Sequence, residues 1–137
     1  MKEVGMINRQ IDSALNRQGH MDWLLVVDAG FPCPDGIELI DIALSPGKPT
    51  VLDVLAEIRP VHSVEKIVVA QEMREHNPTH FKNVAAAFGG VEVEVIAHAE
   101  LKSRSRNVKT IIRTGDFTAW GNVLLVSGAG SRWKMER

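Results

Sequence analysis

A single α/β domain of three layers, α/β/α, with a largely parallel or mixed central sheet is what this sequence predicts. Three observations point there. Trp23-Leu24-Leu25-Val26-Val27 is apolar at every position rather than alternating, the pattern of a strand covered on both faces. Short apolar runs alternate with segments of helical periodicity, as in layered α/β domains. The 137 residues carry no linker, repeat or low-complexity stretch, so one domain, 1–137, is expected, large enough to bury a core without staples.

The elements follow in order. Ile7, Ile11, Ala14 and Leu15 recur at helical spacing, with Asn8 as N-cap and Gly19 as the stop. Trp23 to Val27 is the first strand. Leu39 to Leu44 predicts a second, broken by Ser45-Pro46-Gly47-Lys48-Pro49. Thr50 with Asp53 has the capping-box pattern, and Val51, Leu52, Val54, Leu55 and Ile58 give the helix behind it an apolar face. Lys66 to Ala70 is another strand. Asn77-Pro78 is a break, after which Thr79 caps a helix through Phe88 that ends at Gly89-Gly90. Val91, Val93 and Val95 alternate with Glu92 and Glu94, so that strand has one wet face or lies near an edge. His98 opens a short polar helix through Ser105. Val108 to Arg113 predicts a strand, Gly115 to Gly121 a loop, and Asn122 to Val126 a last strand. Residues 131–137 form a short C-terminal extension.

Several function classes are disfavoured. A net charge of -1 and a pI near 6.5 give no whole-chain field for nucleic acid or an anionic membrane surface. The run Lys102, Arg104, Arg106, Lys109, Arg113 has no aromatic residues interleaved and reads as a solvated face. No apolar run approaches a membrane span, and the start lacks a signal-peptide stretch. The single cysteine, Cys33, lies between two prolines, permits no internal disulfide and suits a reducing compartment. A cytoplasmic protein is expected. No metal site is readable: His62 has no partner at ligand spacing, and Asn77-Pro78 interrupts the helix that would align His76 with His80. Gly128-Ala129-Gly130 precedes no helical pattern and is not a nucleotide fingerprint.

Two proton-handling side chains, His20 and Asp28, flank the first strand. A rigid strand with open ends is a good mount for site chemistry. Each has a plainer reading: His20 as a cap on the last helical carbonyls, Asp28 as a turn former. His98 and Lys102 are four apart on one predicted helix and can face one pocket; taken alone they read as a solvated face.

Taken together, the ordered motifs resemble a known family. Gly19-His20-x-Asp22 is followed by Asp28-Ala29-Gly30-Phe31-Pro32-x-Pro34 and by Ile40-Asp41-x-Ala43-Leu44-x-x-Gly47-x-Pro49. Then come Ile111-Ile112-Arg113-Thr114-Gly115-Asp116 and Trp120-Gly121-Asn122-Val123. The set resembles the D-ribose pyranase and fucose mutarotase family of sugar-ring isomerases, colinearly from Asn8 to Gly128. The resemblance implies an α/β protein that assembles into rings, pentamers stacked as decamers, with sites shared between subunits. It implies exchange between ring forms of a free monosaccharide without cofactor or metal. His20 falls on the family's proton donor and Asp28 on a sugar-binding aspartate that shares in catalysis. His98 falls on the second histidine of the ribose-type members, in His98-Ala99-Glu100-Leu101-Lys102, which brings in Lys102. Trp120, Gly121 and Asn122 fall on a sugar-contacting element whose first residue is tyrosine in the family. Here an indole N–H donor replaces a phenol, and the acceptor is lost. Gly121 is closer to the fucose type; Asp28-Ala29-Gly30 and His98 are closer to the ribose type, whose features dominate.

Ring exchange needs a proton delivered to the ring oxygen and one taken from the anomeric hydroxyl. Near-neutral acid–base groups speed each transfer by roughly 10²–10⁴. The expected function is therefore a mutarotase or pyranase acting on D-ribose or a 6-deoxy sugar such as L-fucose. Other readings are a non-catalytic monosaccharide-binding accessory protein of sugar uptake, or a small-ligand binder related by fold alone. The short apolar last strand and Trp133 beyond it are expected at the contact between subunits.

Overall fold

The computed structural model describes residues 1–136; Arg137, the last residue of the extension, lies outside them. The strands are β1 (Trp23–Val27), β2 (Glu38–Asp41), β3 (Val64–Ala70), β4 (Glu92–Ile96), β5 (Thr110–Arg113) and β6 (Val123–Ser127). They form one mixed sheet in the order β2-β5-β1-β6-β3-β4. Pairings β1–β5, β2–β5 and β3–β4 are parallel, whereas β6 runs antiparallel to both β1 and β3.

Burial explains the patterns. In β1, Leu24 to Val27 are fully buried because strands flank them on both sides and helices cover both faces. Leu24 and Val26 join Ile67, Val69, Leu125 and Ile112 beneath helices α1 (Arg9–Asn16), α2 (Val51–Ile58), α3 (Gln71–His76) and α4 (Pro78–Ala86). Leu25 and Val27 join Val68, Ile111 and Leu124 on the other face, beneath Leu101 of α5 (His98–Arg104). The result is the three-layer α/β/α single domain. Strand β4, which alternates, lies at an edge.

Local chemistry sets the helix starts. Asn8 Oδ1 accepts the Ile11 N–H at 3.0 Å. Thr50 and Asp53 make both halves of a capping box. Four expectations are corrected. Helix α1 stops at Asn16, not at Gly19, because the Arg17 and Gln18 N–H groups already take its last carbonyls. Helix α4 starts from Asn77 rather than Thr79, with Pro78 in the first turn, where its missing N–H costs nothing. Helix α3 was not foreseen: it has six residues with only Met73 buried, too few for a period to show. The last strand lies between β1 and β3, wholly buried, and so is not the surface where subunits meet.

Three of the five residues of the basic run are paired locally. Arg104 bridges Glu94 and Glu100 at 2.7 and 2.9 Å, Lys109 meets Asp22 at 2.7 Å, and Arg113 meets Asp41 at 3.0 Å.

All five parallel strands end on one side of the sheet, where β6 begins. Loops after Val27, Ala70, Ile96 and Arg113 therefore gather with the loop before Val123. Ligands of open α/β sheets bind in this position. The opposite side collects the residues before β1 and β3 and those after β6.

Candidate functional site

At the carboxyl side of the sheet, Asp28 follows β1 directly. Its backbone N–H donates to Asn122 Oδ1 at 2.8 Å, and its Oδ1 accepts the Gly30 N–H at 3.0 Å. Asp28 thus forms the turn and also stands in the cluster. Burial pushes its carboxyl above the ordinary carboxylate value, while the Gly30 and Gly121 N–H groups pull the other way. Asn122 is buried, with its oxygen committed to Asp28, so its amide N–H₂ remains as a donor.

Gly121 is required where it stands. A Cβ there would lie 2.8 Å from the Thr118 carbonyl oxygen. Trp120 before it takes a left-handed backbone, φ 55°, and its ring stacks on His76 with centroids 5.0 Å apart. His80 Nε2 donates to the Gly121 carbonyl at 3.2 Å, and Asn77 Nδ2 donates to the Ala119 carbonyl at 2.8 Å. The break between α3 and α4 therefore grips the Trp120 loop from two sides. From beneath, Asp116, buried, accepts the N–H groups of Thr118 at 2.7 Å and Val51 at 2.9 Å.

His98 opens α5. Its backbone N–H donates to the Glu72 carboxylate at 3.1 and 3.2 Å, and its ring stands edge-on to Phe31. Its Nδ1 is buried with no partner among the described residues. Burial lowers the imidazole's pKa and Lys102 adds to that, against Glu72 and Asp28. A carboxyl pushed up and an imidazole pushed down approach one another in proton affinity, which suits proton exchange. Lys102 is exposed and lines a shallow cleft with Pro32, Cys33, Pro34 and Asp35. Burial raises the Cys33 thiol's pKa, as expected of a structural cysteine.

His20 lies elsewhere. It is exposed on the turn before β1, and five strand residues put it roughly 17 Å or more from Asp28. It does not cap α1. The turn is tied down by Met21, whose N–H donates to the Ser127 carbonyl at 2.6 Å. A cleft of about 450 Å³ opens there, lined by His20, His62, Ser63, Ser127 and Trp133 among others.

The structure thus brings Asp28, His98, Trp120, Gly121 and Asn122 to one side, leaves Lys102 at its margin, and puts His20 on the other. Sequence reasoning missed Glu72, His76 and His80 at the first side. A signal existed: the chain turns back beside the last residues of a buried strand, and Asn77-Pro78 reorients the two histidines onto one loop instead of separating them. His62 and Ser127 had no local signal, because only the antiparallel β3–β6 pairing makes them neighbours.

Known proteins share this organisation. A model of the RbsD / FucU transport protein family matches residues 1–130. A D-ribose pyranase of Lactobacillus gasseri is 41% identical over 128 residues, 93% of this chain and 98% of that protein. A D-ribose pyranase of Clostridium novyi is 36% identical over 128 residues, with the same coverage. Bacillus subtilis RbsD, solved in complex with D-ribose, superposes with a TM-score of 0.90 at 35% identity, over 95% of this chain and 99% of that one. A fucose mutarotase from Streptococcus pneumoniae, solved with L-fucose, shares the fold with a TM-score of 0.69 at 15% identity, over 95% of this chain and 99% of that one.

Proposed function

The chain belongs to the RbsD / FucU transport protein family, and on that premise we propose that it is an isomerase that interconverts ring forms of a free monosaccharide. The observation that carries the reading is His98. A buried imidazole nitrogen without a protein partner is costly unless a ligand satisfies it. It stands near a carboxyl whose pKa burial raises. A sugar hydroxyl at that nitrogen removes the cost.

The steps follow from the groups. His20 gives a proton to the ring oxygen as the ring C–O bond opens. Asp28 and His98, whose proton affinities are shifted toward one another, take and relay the proton of the anomeric hydroxyl. The Asn122 amide donates to a hydroxyl, Lys102 reaches one from the margin, and the indole of Trp120 covers an apolar C–H face. Rotation about the freed carbon and reversal of the transfers close a different ring form. D-ribose fits the ribose-type residues, and a 6-deoxy sugar such as L-fucose fits the larger apolar ring of Trp120.

His20 and Asp28 cannot meet within one chain, since β1 separates them. A site using both draws them from two subunits, so the active form is a closed homo-oligomer, a pentamer or decamer. Phe117 (72% exposed), Leu44 (80%) and Met21 (57%) supply apolar surface for such contacts. The described residues contain no helix long and apolar enough to cross a membrane; the lone Cys33 suits a reducing compartment, and on that ground we place the enzyme in the cytoplasm.

Exchange spectroscopy by NMR tests the reading. Catalytic amounts of protein should speed exchange among the anomers and ring sizes of D-ribose or L-fucose above the buffer rate. Buffer-rate exchange for every sugar tried would overturn it; saturation transfer to a sugar without faster exchange would indicate an accessory binding protein instead.

A further inference from the structure

The cleft around His20 is walled in part by one residue that the family match does not include, Trp133. That match ends at residue 130, and the relatives cover 93% of this chain while 98% of their own length is used. The tail beyond it is nonetheless held in a defined place. The Trp133 indole N–H donates to Ser63 Oγ at 3.0 Å, its backbone N–H donates to the Gly130 carbonyl at 3.0 Å, and Arg132 donates to the Pro60 carbonyl at 3.0 Å. Although pinned at its nitrogen, Trp133 remains 66% exposed. A fixed aromatic ring with an uncovered face beside a polar cleft is a stacking platform.

The rest of the lining is built to match. Ser127, buried, donates its hydroxyl proton to Gln18 Oε1 at 3.0 Å. Its oxygen then accepts from His62 Nε2 at 2.9 Å, which assigns the proton to that nitrogen and leaves Nδ1 as an acceptor. Burial keeps this imidazole on the neutral side. The cleft therefore offers the proposed acid, a fixed acceptor and an aromatic face within about 450 Å³. A ligand with hydroxyls and an apolar C–H face is what such a set recognises.

We infer that the C-terminal tail completes the His20 cleft and that Trp133 contacts the monosaccharide there. The inference rests on the proposed role of His20, and it extends the site to a residue outside the family segment.

Two variants test it: Trp133→Ala, and a chain ending at Gly130. Both alter an exposed terminus, and an unchanged Tm checks that each folds. KM for the preferred sugar should rise about three- to tenfold in each, the scale of one aromatic contact, with kcat unchanged. Trp133→Phe, which keeps a ring, should recover most of the loss. Titration of the parent with D-ribose and L-fucose should shift the Trp133 indole N–H resonance. A parental KM in both variants, with an indole signal that no sugar moves, would overturn the inference while leaving catalysis by His20 intact. If the parent speeds no exchange, yet a sugar moves the Trp133 signal and binds less tightly to Trp133→Ala, the enzymatic reading fails and the contact stands.

Discussion

The two ends of the sheet hold their histidines differently. On the carboxyl side, His98 is wedged between Phe31 and Glu72, beside Asp28, with one nitrogen buried and unsatisfied. The loop opposite it is gripped by Asn77, His80 and Asp116. On the other side, His20 stands exposed on a turn at the rim of an open cleft. One end holds its imidazole in a packed, fixed setting, and the other presents an exposed imidazole outward. If one site uses both groups, as proposed, the contrast teaches that each chain carries two half-sites which only a contact between chains completes.

The largest effect expected comes from dividing those halves. His20→Ala should lower kcat by about 10²–10⁴-fold with KM much less changed, and Asp28→Asn should weaken both. When the two variants are dissociated, mixed and reassembled, part of the activity should return, because some contacts then join an intact His20 to an intact Asp28. A mixture as inactive as its components would mean that no contact between chains joins the two groups in one site, and would dissolve the comparison.

A smaller effect is expected from loosening only the packed end. Asp116→Ala strands the Thr118 and Val51 N–H groups. Urea unfolding should show a loss of about 1.5–3 kcal/mol, the range for hydrogen bonds to a charged acceptor. Burial pushes the Asp116 pKa up, but the Thr118 and Val51 N–H donors outweigh it, leaving it below the ordinary 3.8. Its contribution is therefore complete above 3.8 and lost as pH falls through the lower folded value. The gap between parent and variant should narrow over that acid window; a gap constant with pH would deny the carboxylate this role.

The smallest effect concerns the choice of sugar. Trp120→Tyr restores a group that both gives and accepts a hydrogen bond. Relative kcat/KM should move toward ribose over fucose by about two- to tenfold, the worth of one neutral hydrogen bond. An unchanged ratio would shift selectivity from the Trp120 loop to the opposite end.

What the sequence revealed of this molecule depended on how local the cause was. Asn8 and the Thr50–Asp53 pair announce helix starts because a cap satisfies N–H groups only a few residues away. Strand β1 was readable because burial on both faces removes polar residues one by one. The antiparallel placement of β6 between β1 and β3 was not, since no short pattern encodes which strands pair. For the same reason the site was legible as single residues, Asp28 and His98 above all, but not as an assembly. Glu72, His76 and His80 join it only through the turn after β3, and His62 meets Ser127 only across a pairing between distant strands.

The position of β6 also governs the order in which the chain can assemble. Strand β1 lies between β5 and β6, both far behind it in chain order, and Trp23 finds its partner only at Val126. Strands β3 and β4 can pair with one another beforehand, yet they join the β2-β5-β1 group solely through β6. A ribosome-bound chain therefore carries two unjoined sheet fragments with open strand edges until β6 emerges. Closing contacts so far apart in sequence is slow, and unpaired edges invite association with other chains. Completion of the sheet in this sense waits on β6 alone.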